Sequence, residues 1–311
     1  MEENYQNPNL SGNATDLSAE LDKLENAHFE SPGQIAWRRF RRHKPAVFSV
    51  ILLVIIMFLS FGAQWVTRYD PNNMNLADRN LPPSSTHWFG TDNLGRDIWS
   101  RTLYGGQVSL IVGLTAAAMS TVIGILLGSV SGFYGHSIDM VIMRITDVVM
   151  TFPPLIIMLT VAAVVGTGLT NVILIIGGLR WPGTTRLVRG QFLSLKNEDF
   201  VLAARAQGLP DFILIFRHVL PNVVAPLMAN VTFAVSSAIL SEAGLSFLGM
   251  GVPLPTPTWG NMMNAATSLS VLVDQPWTWL PAMIFCLITV LCINFIGDGL
   301  RDAMDPKQII K

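Results

Sequence analysis

The sequence predicts an all-α, polytopic membrane protein, on three observations. Charged side chains make up 13% of the 311 residues, against about 25% in an ordinary soluble protein. Half the residues are hydrophobic, and mean hydropathy is +0.45. The apolar residues also fall in long unbroken runs rather than at helical spacing through a polar background.

Taken in order, residues 1–30 are polar and acidic, with seven carboxylates and one lysine, Lys23. That composition predicts a cytoplasmic tail without a packed core, and it lacks the basic-then-apolar start of a signal peptide. The stretch SPGQIAWRRFRRHK sets Ile35, Trp37 and Phe40 among basic residues, the pattern of an interfacial helix lying on anionic membrane lipid. Residues 31–66 therefore read as that helix plus a first span over 46–65, whose roughly 20 uncharged residues suffice to cross a hydrocarbon core of about 30 Å. Residues 67–105 read as an extracellular loop, punctuated by Gly90, Gly95, Gly105 and Gly106, in which Asp92, Arg96, Asp97 and Arg101 pair locally.

A five-helix core is expected over 106–301, with spans near 108–133, 145–165, 169–188, 223–247 and 279–296. The clean apolar stretch of the fourth ends at Leu179, too short to span, so a helix is expected to continue through Arg180, Pro182 and Gly183. Small residues in the second span, among them Gly113, Gly124 and Gly128, predict close helix approach. Residues 302–311 complete the chain as a cytoplasmic tail. With six spans and both termini inside, 16 of the 20 Lys and Arg residues fall on the cytoplasmic side.

Several functions are excluded at this level. A net charge of −1 leaves no basic excess for nucleic acid. No G-x-x-x-x-G-K-[ST] stretch occurs, so nucleotide energy must come from a partner. All five histidines lie outside the spans, which leaves no intramembrane metal site or Ser/His arrangement. Cys286 and Cys292, six apart on a helix, point to different faces. No catalytic, cofactor-binding or metal site is expected in this chain.

The loop 189–222 is long for a connector and carries its own amphipathic pattern. In KNEDFVLAARAQGLP, Asn197 is placed to cap a helix whose first turn holds Glu198 and Asp199, and Gly208 to end it in a left-handed conformation. A second helix is expected over 211–219, with Pro221 marking the start of the next span.

At these residues the chain resembles the membrane subunits of binding-protein-dependent ABC importers, whose cytoplasmic loop carries E-A-A-x3-G-x9-I-x-L-P. Ala203, Ala204, Gly208, Leu220 and Pro221 stand at the matching spacings; Leu202 replaces the glutamate and His218 the isoleucine. Three further stretches, HWFGTDNLGRDIWSRTLYGG, SEAGLSFLGMGVPLPTPTWGNMM and GDGLRDAMDP, narrow the resemblance to the second (C-type) permease of the oligopeptide, dipeptide and nickel branch. The resemblance covers about residues 33–308. It implies the transmembrane domain of a type I ABC importer in a prokaryotic plasma membrane, forming half of a peptide pathway. The implied partners are a second homologous permease, two ATPase subunits that bind ATP and Mg, and an extracellular substrate-binding protein. It also implies that Ala203, Ala204, Gly208, Leu220 and Pro221 belong to the loop that docks on an ATPase. Nickel or another small solute is the alternative cargo, and an ion-coupled secondary transporter the alternative machine.

Ionisable residues at membrane depth face protein or water. Arg180 and Glu242 are therefore candidates for the cavity or for intramembrane pairing, and Arg144 and Asp147, three apart, are expected to pair with each other.

Overall fold

A computed structural model describes residues 32–304. The 1–30 tail and most of the 302–311 tail, including Lys307 and Lys311, lie outside the described residues. The helices of eight residues or more are α1 (Pro32–Arg42), α2 (Lys44–Phe61), α3 (Ile98–Tyr134), α4 (His136–Thr151), α5 (Pro154–Val165), α6 (Leu169–Leu179), α7 (Trp181–Leu195), α8 (Asp199–Ala206), α9 (Leu220–Phe247) and α10 (Leu280–Met304). Among the described residues no strand forms; a single antiparallel bridge joins Thr91 to Asp97.

Four helical stretches are long and apolar enough to cross a membrane: Lys44–Phe61, Ile98–Tyr134, Asp211–Phe247 and Leu280–Met304. The pair α4 and α5 makes a fifth if its two halves count together. Here the structure corrects the continuous helix expected over 145–165. The chain bends by 90° between α4 and α5, because Phe152 precedes Pro153 and is driven to extended backbone at φ −88° and ψ 141°.

The expected continuation through Arg180 is corrected in the same way. Helix α6 stops at Leu179, Arg180 takes φ −101° and ψ 0°, and α7 starts at Trp181. Pro182 has no N–H to give the carbonyl four residues back, so the ladder breaks one turn before it. At 11 residues, α6 is about 16 Å long and does not span alone.

Helix α3 is the axis of the bundle and packs against α2, α6, α7 and α9, while α10 packs on α1, α2 and α9. Contact between α3 and α7 is possible only without side chains on α3. A Cβ at Gly124 would lie 2.5 Å from Thr184 Cβ, one at Gly128 2.7 Å from the Thr185 carbonyl, and one at Gly132 2.6 Å from Phe192 Cβ. The expectation of close approach in this span is met along three successive turns. Beside the ends of α2 and α10, Phe40 of α1 packs with Ala46 and Ala303, while Trp37 remains 63% exposed.

The segment between α2 and α3 folds around buried charge. Asp92 accepts Arg96 Nε at 2.7 Å and lies 3.8 Å from Arg101 Nε; its other oxygen accepts the backbone N–H groups of Leu94 and Arg96. Asp97 caps α3 through the Ser100 N–H at 2.8 Å, and its other oxygen meets Nδ1 of buried His87 at 2.8 Å. The expected local pairing holds for Asp92 with Arg96 and Arg101, whereas Asp97 takes His87 as its partner instead of an arginine.

Candidate functional site

The loop preceding α9 is a small folded body attached to the bundle. Val201 and Ala204 of α8 are buried against Phe133, Val188, Phe192, Leu214, Ile215 and Val219. Arg205 lies over the Phe133 ring at 5.4 Å. The helix starts one residue later than expected. Glu198, not Asn197, occupies the N-cap, with no side-chain hydrogen bond.

Gly208 stands at φ +80°, the left-handed region where a side chain is strained, and lets the chain turn back after α8. The N–H of Gly208 donates to the Arg205 carbonyl at 2.9 Å and that of Leu209 to the Ala204 carbonyl at 3.4 Å.

The helix expected over 211–219 is an α-turn, Asp211–Ile213, followed by a π-helical stretch, Leu214–Val219. Pro221 would clash with the Arg217 carbonyl in a regular α-helix, and the wider turn relieves that clash. The backbone then runs on without a gap, so Asp211–Phe247 is one 37-residue rod.

Of the loop residues singled out from sequence, Ala204 is buried, Leu220 is half-buried, and Ala203, Gly208 and Pro221 are exposed. The outward face is apolar: Phe200, Leu202 and Phe212 are exposed, the last by 70%. Leu202 therefore puts a hydrophobic side chain on the surface where the resembling family carries an acid.

Arg180 and Glu242 do not meet each other. Glu242 is fully buried in α9, accepting the Ser109 hydroxyl at 2.8 Å and the Ser246 hydroxyl at 2.7 Å. Arg180 donates through Nη1 to Ser241 at 2.9 Å. Among the described residues no carboxylate lies within ion-pair distance of Arg180. The expected pairing of Arg144 with Asp147 is corrected too. Asp147 instead accepts Arg186 Nη2 at 2.6 Å, because α4 packs against α7 and brings that guanidinium within reach. A second bridge follows one turn on along α7, Arg189 holding Asp139 through Nε and Nη2, at 2.5 and 2.6 Å.

Two cavities accompany these groups. One of about 220 Å³ is bounded by Met150, Phe152, Ile157, Leu179, Arg180 and Gly183. Another of about 670 Å³ opens between α7, α9 and α10, beside Gln191, Asn222, Asn230, Phe233 and Arg301. Sequence reasoning missed Ser109, Ser241 and Ser246. The signal was there for Ser246, one helical turn beyond Glu242 on the same face.

Comparison with known proteins places the chain. Residues 124–310 match the family model described as binding-protein-dependent transport system inner membrane component. Residues 31–83 match the N-terminal transmembrane domain of oligopeptide transport permease C. A putative peptide permease protein of Brucella suis is 44% identical over 269 residues, covering 86% of this chain and 89% of its own. The oligopeptide transport system permease protein OppC of Bacillus subtilis is 41% identical over 273 residues, covering 88% of each chain. Among solved structures, an inward-facing form of the MetNI methionine ABC transporter superposes with a TM-score of 0.54. The match is 17% identical and covers 66% of this chain and 96% of that one, so the fold is shared. The chain thus belongs to the binding-protein-dependent transport system inner membrane components, and is a multi-pass permease subunit with the transmembrane fold of an ABC importer.

Proposed function

We propose that this subunit forms half of the pathway of an ATP-driven peptide importer and receives its energy through the folded loop ahead of α9. The peptide cargo is supported by relatives named as peptide and oligopeptide permeases at 41% to 44% identity over most of the chain. The carrying observation for coupling is the join: α8 turns at Gly208 into the continuous 37-residue helical stretch Asp211–Phe247, of which the π-helical turn and α9 are parts. A displacement of the loop is thereby a displacement of α9.

In this reading the exposed Phe200, Leu202 and Phe212, with Ala203 and Gly208, dock in an ATPase subunit; Ala204, Leu220 and Pro221 hold the loop's shape. The complex contains a second homologous permease, two ATPases that bind ATP and Mg, and an external binding protein that selects the solute. The chain itself catalyses nothing. The sixth span is supplied by α6 and α7 together, with both termini cytoplasmic. ATP binding then draws the two loops together and rotates the permease halves outward.

The test is an affinity pulldown of the tagged chain from native membranes in mild detergent, with mass spectrometry of the associated proteins and uptake assays with labelled peptide and nickel. A second permease, P-loop ATPases and peptide uptake are expected. Recovery of the chain alone in a transport-competent state would overturn the importer reading, and uptake of nickel but not peptide would change the cargo.

A further inference from the structure

The cavity of about 220 Å³ beside Arg180 sits where two helices are interrupted. Phe152 lies at the break between α4 and α5 and Arg180 at the break between α6 and α7, and both line it. Non-helical backbone at membrane depth is tolerated only inside protein or along a water-filled cavity. Discontinuous helices facing each other across such a cavity are the arrangement that lets a transporter hold a charged group of its solute.

The guanidinium at this place has spare capacity. It carries five N–H donors, of which one goes to Ser241, and among the described residues no carboxylate neutralises it. A cation held at membrane depth without a counter-ion is costly unless water or a ligand faces it. The other walls, Met150, Phe152, Pro154, Ile157 and Leu179, are apolar. The volume is below the roughly 300–1,000 Å³ of a site for a whole small ligand, and suits one end of a longer molecule.

We infer that Arg180, in the cavity between the two helix breaks, is a subsite for a free carboxylate of the transported solute, with the apolar wall taking the side chain next to that carboxylate. The inference rests on the import reading above and assigns one feature of the solute: an anionic end. A bidentate carboxylate replaces water on the guanidinium, so a free acid gains over its amide by a charge-assisted hydrogen bond.

The experiment uses the whole transporter in phosphatidylcholine nanodiscs, with Met150→Cys carrying an environment-sensitive dye. Native Cys286 and Cys292 of this chain are buried, and the dye is attached to this subunit before the complex is assembled, so labelling is selective. The probes are N-acetyl-phenylalanine and its amide. The acid is expected to bind about ten- to a hundredfold tighter than the amide, the equivalent of one hydrogen bond to a charged group. Arg180→Gln should erase the preference and Arg180→Lys keep part of it. Gly183→Leu should block both probes with Arg180 in place, since a Cβ at Gly183 meets nothing within 4 Å and the protein should still fold.

Equal binding of acid and amide, or a preference that survives Arg180→Gln, overturns the subsite. A dye response to added anionic lipid but not to the acid overturns it as well. ATP-dependent peptide uptake by the unlabelled wild-type complex is scored separately. Uptake without an acid preference removes the subsite alone, and failure of uptake removes the import reading.

Discussion

The hydroxyl of Ser109 on α3 donates to Oε2 of Glu242 on α9 at 2.8 Å, and the serine Oγ in turn accepts the backbone N–H of Trp259 at 3.2 Å. One serine thus ties the axial helix, α9 and the short helix Trp259–Met263 around a carboxyl that no water reaches. The Trp259 ring is also fully buried, its indole N–H donating to the Thr102 carbonyl at 3.0 Å.

Removing that carboxyl leaves the Ser109 and Ser246 hydroxyls facing a void. Glu242→Ala is expected to destabilise the detergent-solubilised protein by about 1–3 kcal/mol per orphaned group, and Glu242→Gln by less, because an amide still offers partners. Thermal unfolding of purified variants measures this; equal melting of wild type and Glu242→Ala would show the cluster to be dispensable.

Asp92 is the single carboxylate serving both Arg96 and Arg101, which are themselves buried. Asp92→Ala strands two guanidinium groups and is expected to cost about 3–5 kcal/mol locally. Protease should then cut the segment between α2 and α3 in the variant and spare it in the wild type. Asp97→Ala, which removes a helix cap, should cost about 1 kcal/mol from that contact.

How much of this was visible in the sequence differs by kind of feature. Long apolar runs translate directly into helices, so α2, α3, α9 and α10 stand close to their expected places. The misread elements share one cause. Pro153 and Pro182 each sit inside an otherwise apolar stretch, and hydropathy averages over a proline whose backbone effect is local and decisive. The loop was legible through Gly208, whose left-handed backbone was anticipated, but the π-helical turn ahead of Pro221 has no hydropathy signature. The partner of Asp147 is not legible, because Arg186 is 39 residues away and meets it only through the packing of α4 on α7.

At position 208 the penalty for a side chain comes from backbone angle alone, since a Cβ there would touch nothing. Gly208→Val is expected to strain the turn by about 1–2 kcal/mol and abolish uptake and permease-stimulated ATP hydrolysis, while membrane insertion stays normal. Gly208→Asn, which tolerates this conformation better, should retain much of both. ATPase assays of reconstituted complexes separate the two variants, and wild-type coupling in Gly208→Val would rule out a role for the turn.

The two bridges between α4 and α7 differ in exposure. Asp147 and Arg186 are about half exposed, whereas Asp139 and Arg189 are more sheltered and paired through two nitrogens. Asp147→Asn is expected to change stability by less than about 1 kcal/mol, and Asp139→Asn by more. A double-mutant cycle for each pair, at low and high salt, gives the coupling energies; a stronger coupling at the exposed pair would contradict the geometry.

The glycine seam between α3 and α7 has a mechanical consequence. With Thr184, Thr185 and Phe192 already against bare backbone, the joint has no backlash: neither sliding nor rotation of one rod past the other avoids collision. The pair is thereby braced as one strut, flanked by the proline-broken corners at 152–153 and 180–182.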